Sequence, residues 1–259
     1  MKKLLTFMLV SLVVVLGACG TSSEEKSTSS DSSDKKVLVM GTSADYAPFE
    51  YIDTAKSDEI IGFDIDLANA LGEKLGYEIQ VKDMDFSGLI SALQSKKVDL
   101  VLSGMSPTPE RAENVDFSDI YYTAKDLVVT AADSDIKTVA DLDGKTVGVQ
   151  LGSIQEDAAK EIAETVNVTV ENRDRIPQLI EEIKSGRFDG AIIEDVVAKG
   201  YLDKDDSLAA FAAKEANDDA GSAIAFPKGS DLTEKFNAEL QKMKDSGELD
   251  ELVVKWFGN

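Results

Sequence analysis

Across residues 36–259 one local plan recurs: a short apolar run, a Gly/Ser-rich turn, then a stretch whose apolar residues keep helical spacing. Strands that alternate with helices along a chain build an α/β lobe around a largely parallel sheet, so this pattern limits the fold more than any single motif. Residues 37–40 are apolar and end at Gly41, Thr42 and Ser43, as a buried strand entering a loop should. A second short run covers residues 60–63. Asp64 is then placed to cap a helix that carries Leu67, Leu71 and Leu75 on one face and stops at Gly76. Residues 79–81 read as a strand, 86–97 as a helix through Leu89, Ile90 and Leu93, and 98–102 as a strand. The plan restarts at 146–150, with helices expected at 154–164 and 176–185 and a strand at 191–193. Pro177 falls in a first turn, where its missing N–H costs nothing. Leu232, Phe236, Leu240 and Met243 form one late helical stripe, and Leu249, Leu252, Val253 and Trp256 another, separated by Gly247. The runs 37–43 and 147–153 share a strand-then-Gly/Ser plan, so two similar lobes are expected.

The start of the chain sets its address. Lys2 and Lys3 precede an apolar stretch over residues 4–16, closed by Leu16-Gly17-Ala18-Cys19. That is a secretory signal, too short for a spanning helix. The closing tetrad resembles the lipobox of bacterial lipoproteins, which implies removal of residues 1–18 and lipidation of Cys19. The Ser/Thr-rich segment 19–35 lacks apolar periodicity and reads as a flexible tether, leaving the rest at the extracellular face of the cell membrane. Cys19 is the only cysteine, so no intrachain disulfide can form. Histidine is absent, which removes His-based triads and His metal sites. The net charge of −22 would become −24 once Lys2 and Lys3 leave with the signal, and a nucleic-acid partner is thereby excluded. No Gly-Lys-Ser/Thr phosphate motif occurs, so no cofactor is expected and ATP belongs to another subunit. Nor is a metal: Asp64 and Asp66 read as cap and helix-dipole partner, and Asp203, Asp205 and Asp206 as a polar turn with no calcium loop after it.

A family becomes visible in the ordered motifs. Gly62-Phe63-Asp64-Ile65-Asp66-Leu67-Ala68 resembles the signature of the solute-binding proteins of polar amino-acid ABC importers. The resemblance continues through Asp85-Phe86-Ser87-Gly88, Ser103-Gly104-Met105-Ser106-Pro107-Thr108-Pro109-Glu110-Arg111 and Val115-Asp116-Phe117-Ser118. It runs on through Val147-Gly148-Val149-Gln150-Leu151-Gly152-Ser153, Ala191-Ile192-Ile193-Glu194-Asp195 and Lys255-Trp256-Phe257-Gly258. It covers essentially all of residues 36–259 and looks most like the arginine-binding lipoproteins of Gram-positive bacteria. It implies a two-lobed, type II periplasmic-binding-protein-like α/β fold with two hinge strands. The first lobe would comprise 36–124 and 223–259, the second 125–222. It further implies a monomer that closes over an amino acid, hands it to a permease served by an ATPase, and catalyses nothing.

The residues can be asked whether they suit that task. An amino acid shows a carboxylate and an ammonium. Arg111 is the expected carboxylate partner, because its planar fork donates two parallel charge-assisted bonds. Thr108 would add its hydroxyl or amide, and Ser153 sits at a helix start whose N–H groups favour an anion. For the ammonium, Asp195 is the first expectation and Glu194 the alternative one residue away, with Ser103, Gly104 and Ser106 as further acceptors. Tyr46 and Phe86 match positions where the family places aromatic walls, suited to a guanidinium or a long aliphatic chain. Gln150 and Glu194 would meet the distal end. Ser43, also in the expected site, departs from receptors for basic amino acids that carry Asp there, so the distal acid is assigned first to Glu194 and second to Asp45. Three other readings remain: a receptor for glutamine or another polar neutral amino acid, a cyclohexadienyl dehydratase using Glu194 as its acid or base, and a structural surface adhesin.

Overall fold

The computed structural model describes residues 35–213 and 221–258. The expected signal segment 1–18, the lipidation site Cys19 and the tether up to Asp34 lie outside the described residues. Among the described residues no helix is long and apolar enough to cross a membrane.

Two five-stranded sheets organise the chain, and they follow the same plan. In the first, the order is Tyr77–Asp83, Lys36–Thr42, Leu100–Val101, Ala225–Pro227, Val115–Phe117. Lys36–Thr42 runs parallel to both neighbours, with Met40 opposite Val81 and Leu100, whereas Ala225–Pro227 runs antiparallel to the strands beside it. In the second, the order is Thr169–Arg173, Thr146–Gln150, Gly190–Glu194, Asp126–Ala131, Leu208–Ala212. Here Thr146–Gln150 pairs in parallel on both sides and Asp126–Ala131 is the reversed strand. Helices Phe63–Leu75 and Asp231–Ser246 pack with the first sheet and Glu248–Phe257 packs against those two helices; Ile154–Ala163, Ile176–Lys184 and Asp195–Leu202 pack with the second sheet. The two-lobed α/β expectation therefore holds.

Between the sheets the chain crosses twice. Tyr122–Thr123 leads from the first lobe to the second and Gly221–Ser222 leads back, and the two pair antiparallel with Tyr122 opposite Ser222. A short three-stranded sheet, Asp45–Tyr46, Glu50–Ile52 and Ile60–Ile61, carries the loop between the first strand and the first helix.

The start of that helix corrects one expectation. Asp64 is not the cap; Gly62 is, at φ 143°, and its backbone lies so close to Phe49 that a Cβ there would meet the Phe49 carbonyl oxygen at 2.0 Å. Only glycine tolerates both the angle and the approach. The first helical N–H groups donate to that loop instead: Phe63 to the Pro48 carbonyl at 3.0 Å and Asp64 to the Phe49 carbonyl at 2.9 Å. Freed from capping, the Asp64 side chain turns inward and is fully buried. Asp66 lies in the first turn as expected and has a second task, accepting from Trp256 Nε1 at 2.7 Å and thereby fastening the last helix to the first. Beside it Phe257 stacks on Tyr122 at 4.2 Å and meets Phe49 and Phe63 at 5.0 Å each, so an aromatic cluster sits against the crossing strand. The helix expected at 86–97 is shorter, a 3-10 turn at Phe86–Gly88 followed by Leu89–Gln94, because Ser95 Oγ donates back to the Ser91 carbonyl and ends it.

Candidate functional site

Arg111 reaches the gap between the lobes because Thr108 starts a helix directly after the Ser103–Pro107 loop. The Thr108 hydroxyl accepts from Arg111 N–H at 3.2 Å and Pro109 occupies the first helical position. The guanidinium then folds back over the Phe86 ring, 5.4 Å from its centroid. It donates to the Ser106 carbonyl at 2.8 Å and, across the cleft, to the Gly152 carbonyl at 2.9 Å. Among the described residues no carboxylate forms an ion pair with it. Burial without a counter-charge pushes its pKa down to about 10, with Asp157 and Glu110 acting weakly the other way.

Facing Arg111 from the second lobe, Ser153 caps helix Ile154–Ala163: its hydroxyl accepts from Glu156 N–H at 3.2 Å and donates to the Gln150 carbonyl at 2.7 Å. Gln150 ends its strand with its amide donating to the Asp174 carbonyl. These residues and the first-lobe loops line a narrow gap between the lobes, a cavity of about 10 Å³. Of the expected site residues, Ser43, Tyr46, Phe86, Ser103, Gly104, Ser106, Arg111, Gln150 and Ser153 line it, joined by Glu50, Ile154 and Gln155. Gly104 adopts φ 54°, and a Cβ there would lie 2.9 Å from the Tyr46 ring, so its backbone approaches that wall as no other residue could.

A second cavity of about 10 Å³ shares Ser106, Ile154 and Gln155 with the first and is also lined by Glu194 and Asp126. Glu194 is buried at the end of strand Gly190–Glu194. One of its oxygens accepts from Tyr46 OH at 3.0 Å; the other, Oε1, has no donor. Burial, opposed by the Tyr46 bond and reinforced by Asp126, Asp195 and Asp64, pushes the Glu194 pKa up to about 8. Such a group is comfortable as an anion only when a cation joins it.

Two expected residues stand apart. Thr108 lines neither compartment, its hydroxyl being engaged by Arg111 N–H. Asp195 is the first residue of helix Asp195–Leu202, and its carboxylate accepts from Val196 N–H at 2.8 Å. Asp45, the second choice for a distal acid, is engaged across the cleft: it accepts from Ile176 N–H at 2.6 Å and from the Ser43 hydroxyl at 2.7 Å. Asp205, in the acidic turn, pairs with Lys184 at 3.0 Å.

Sequence reasoning missed Glu50, Gln155 and Arg175. Arg175, just before helix Ile176–Lys184, reaches the first lobe and binds Asp83 and Asp85 at 2.9 Å each, with Asp45 at 3.5 Å. A lone acid between Phe49 and Tyr51 was the available signal for Glu50; nothing local signalled the partners of Arg175.

Comparison with known proteins agrees with this geometry. Residues 38–259 match the model of the bacterial extracellular solute-binding proteins, family 3. The arginine-binding extracellular protein ArtP of Bacillus subtilis (strain 168) is 55% identical over 259 residues, covering 99% of this chain and 98% of its own. An ancestral arginine-binding protein solved with arginine superposes with a TM-score of 0.81 at 40% identity, covering 86% of this chain and 98% of that one. The same kind of ancestral protein solved with glutamine gives 0.80 at 40% identity and the same coverage. The chain belongs to the bacterial extracellular solute-binding proteins, family 3.

Proposed function

We propose that this chain is the receptor of an amino-acid ABC importer and that its ligand is arginine. The observation that carries this reading is a guanidinium without a carboxylate and a buried carboxylate oxygen without a donor, each lining one of two cavities that share Ser106, Ile154 and Gln155. A zwitterion supplies both missing partners. Its carboxylate would take the fork of Arg111 with the helix start at Ser153, and its ammonium would take Glu194, since Asp195 is turned to its own helix. The side chain would run between Tyr46 and Phe86, whose faces favour a guanidinium by roughly 0.5–2 kcal/mol. The relatives support the same ligand, and they are binding proteins rather than enzymes.

On this reading the lobes divide at 124/125 and 222/223, ligand biases them toward the closed arrangement, and the permease and ATPase subunits recognise that arrangement. Lipidated Cys19 would hold the receptor at the extracellular face of the membrane. Glutamine is the alternative ligand, favoured by the ancestral protein solved with it. Isothermal titration of the ligand-free protein against the twenty amino acids tests the proposal. Arginine should bind most tightly, with glutamine weaker; binding of none would end the transport reading.

A further inference from the structure

Beneath the cleft lies a second pair of acids that no step of ligand capture has used. Glu50 and Asp64 are both fully buried, and their carboxyl groups lie close enough to act on each other's titration. Each is also held by a different residue of the loop that lines the cleft. Ser103 Oγ donates to Glu50 Oε1 at 2.7 Å, and Gly104 N–H donates to Asp64 Oδ2 at 2.9 Å. The Ser103 hydroxyl in turn accepts from Ser43 N–H at 3.0 Å, and Tyr121 OH, next to the crossing strand Tyr122–Thr123, donates to Asp64 Oδ2 at 2.9 Å. The oxygens reached by none of these donors are Glu50 Oε2 and Asp64 Oδ1, one on each partner. The ionisable groups that act on the pair are Tyr46, Tyr121, Asp45 and Glu194, and Arg111 lines the same pocket as Glu50.

Two neighbouring carboxylates out of water resist double ionisation, and among the described residues no cation forms an ion pair with either. Asp64 already accepts two hydrogen bonds that favour its charged form, whereas Glu50 has only the Ser103 hydroxyl. We propose that Glu50 and Asp64 share a single proton, carried mainly by Glu50 and donated to Asp64, and that the pair acts as positioning residues holding Ser103 and Gly104 toward the ligand and tying them to Tyr121 at the hinge. The directions of titration agree: burial raises Glu50 well above the usual carboxyl range, with Asp64 adding to it, and burial raises Asp64 to about 7. Loss of the shared proton leaves two adjacent anions under the cleft, so the loop loosens as pH rises. The inference rests on the reading of Ser103 and Gly104 as ligand-facing.

The test compares Glu50→Gln with Glu50→Ala in the full chain, measuring arginine affinity and thermal midpoint from pH 5.5 to 9.5. A glutamine amide can accept from Ser103 and donate to Asp64, standing in for the shared proton at every pH. At neutral pH E50Q should bind arginine at least fivefold more tightly than E50A, which should lose tenfold or more relative to the unaltered protein. The ratio of E50Q to unaltered affinity should rise with pH; taking the ratio cancels the titration of Glu194 and of the ligand's own ammonium. A ratio that stays constant with pH, or an E50Q as weak as E50A, overturns the proposal. Asp64→Asn can also make every bond and carries the same expectation if E50Q does not fold; failure of both amides to fold overturns it as well. If no amino acid binds at all, the receptor reading fails, and the same ratio read in thermal midpoints still decides this one.

Discussion

Two arginines cross the gap between the lobes, and their surroundings are opposite. Arg175 leaves the second lobe and enters a cluster of carboxylates, Asp83, Asp85 and Asp45. Burial alone would lower its pKa, but the Asp83 bond and charge, with Asp45 and Asp85, hold it raised. Arg111 leaves the first lobe and meets main-chain carbonyls and one aromatic face, and its pKa is lowered. The first is electrostatically complete when the lobes meet; the second is not. One is therefore a fastening between lobes and the other a socket for an anion, although both are cations on short polar segments before or within a helix.

The largest way to break this contrast is Arg111→Ala. Removing one partner of a desolvated charge pair costs about 2–5 kcal/mol of binding, so arginine affinity should fall by two orders of magnitude or more in titration calorimetry. The ligand-free protein should melt no earlier than before, because it loses an uncompensated cation. A melt lowered together with affinity would mean that Arg111 is a fastening after all.

Glu194→Gln comes next, with an expected loss of tens-fold in affinity, and it carries a pH signature. In the ligand-free protein Glu194 holds its proton up to about 8, and ammonium binding needs the carboxylate. Arginine affinity should therefore climb as pH rises from 6 toward 8 and then level, and the climb should vanish in E194Q. The sign reverses for stability. A carboxyl raised in the folded state favours the ligand-free fold fully below its unfolded value, and that contribution is lost as pH rises through about 8.

Arg175→Gln should act more gently. Its pairs lie at a partly exposed edge and are worth about 1 kcal/mol together, so affinity should drop roughly fivefold, and the unaltered protein alone should weaken further with added salt. An affinity unchanged by R175Q would remove the fastening from the account of closure. Smallest of all should be Asp195→Asn, within about twofold in titration calorimetry, because that carboxylate faces Val196 N–H; a loss matching E194Q would return the ammonium to Asp195.

The parts of this molecule that could be read from sequence are those whose cause is local. Runs such as 37–40 and 146–150, and the helical stripe through Leu232, Phe236, Leu240 and Met243, encode their own burial. Glycine at position 62 passed as part of the run 60–63 because the constraint on it, the Phe49 carbonyl, lies 13 residues away and carries no side-chain signal. Asp64 was assigned to a cap by its place before a helix, yet with Gly62 in that role it was free to turn toward Gly104 and Tyr121. Most of the cleft lining could be named in advance because it sits on loops that follow strands. Arg175 could not, since its meaning comes from Asp83 and Asp85 about 90 residues away, and Glu50 offered only its place between two aromatics, its bond to Ser103 spanning 53 residues.

The first sheet has its fourth strand, Ala225–Pro227, inserted between Leu100–Val101 and Val115–Phe117, whereas every strand of the second sheet comes from the span Asp126 to Ala212. A polypeptide emerging N-terminus first can thus finish the second lobe while the first still has an open seam, and the plug arrives only with the last few dozen residues. Phe257, stacked on Tyr122 of the crossing strand, arrives later still. Long-range closure of this kind is slow and leaves apolar edges uncovered meanwhile, so quality control of the newly made receptor falls chiefly on the half that was begun first and is completed last.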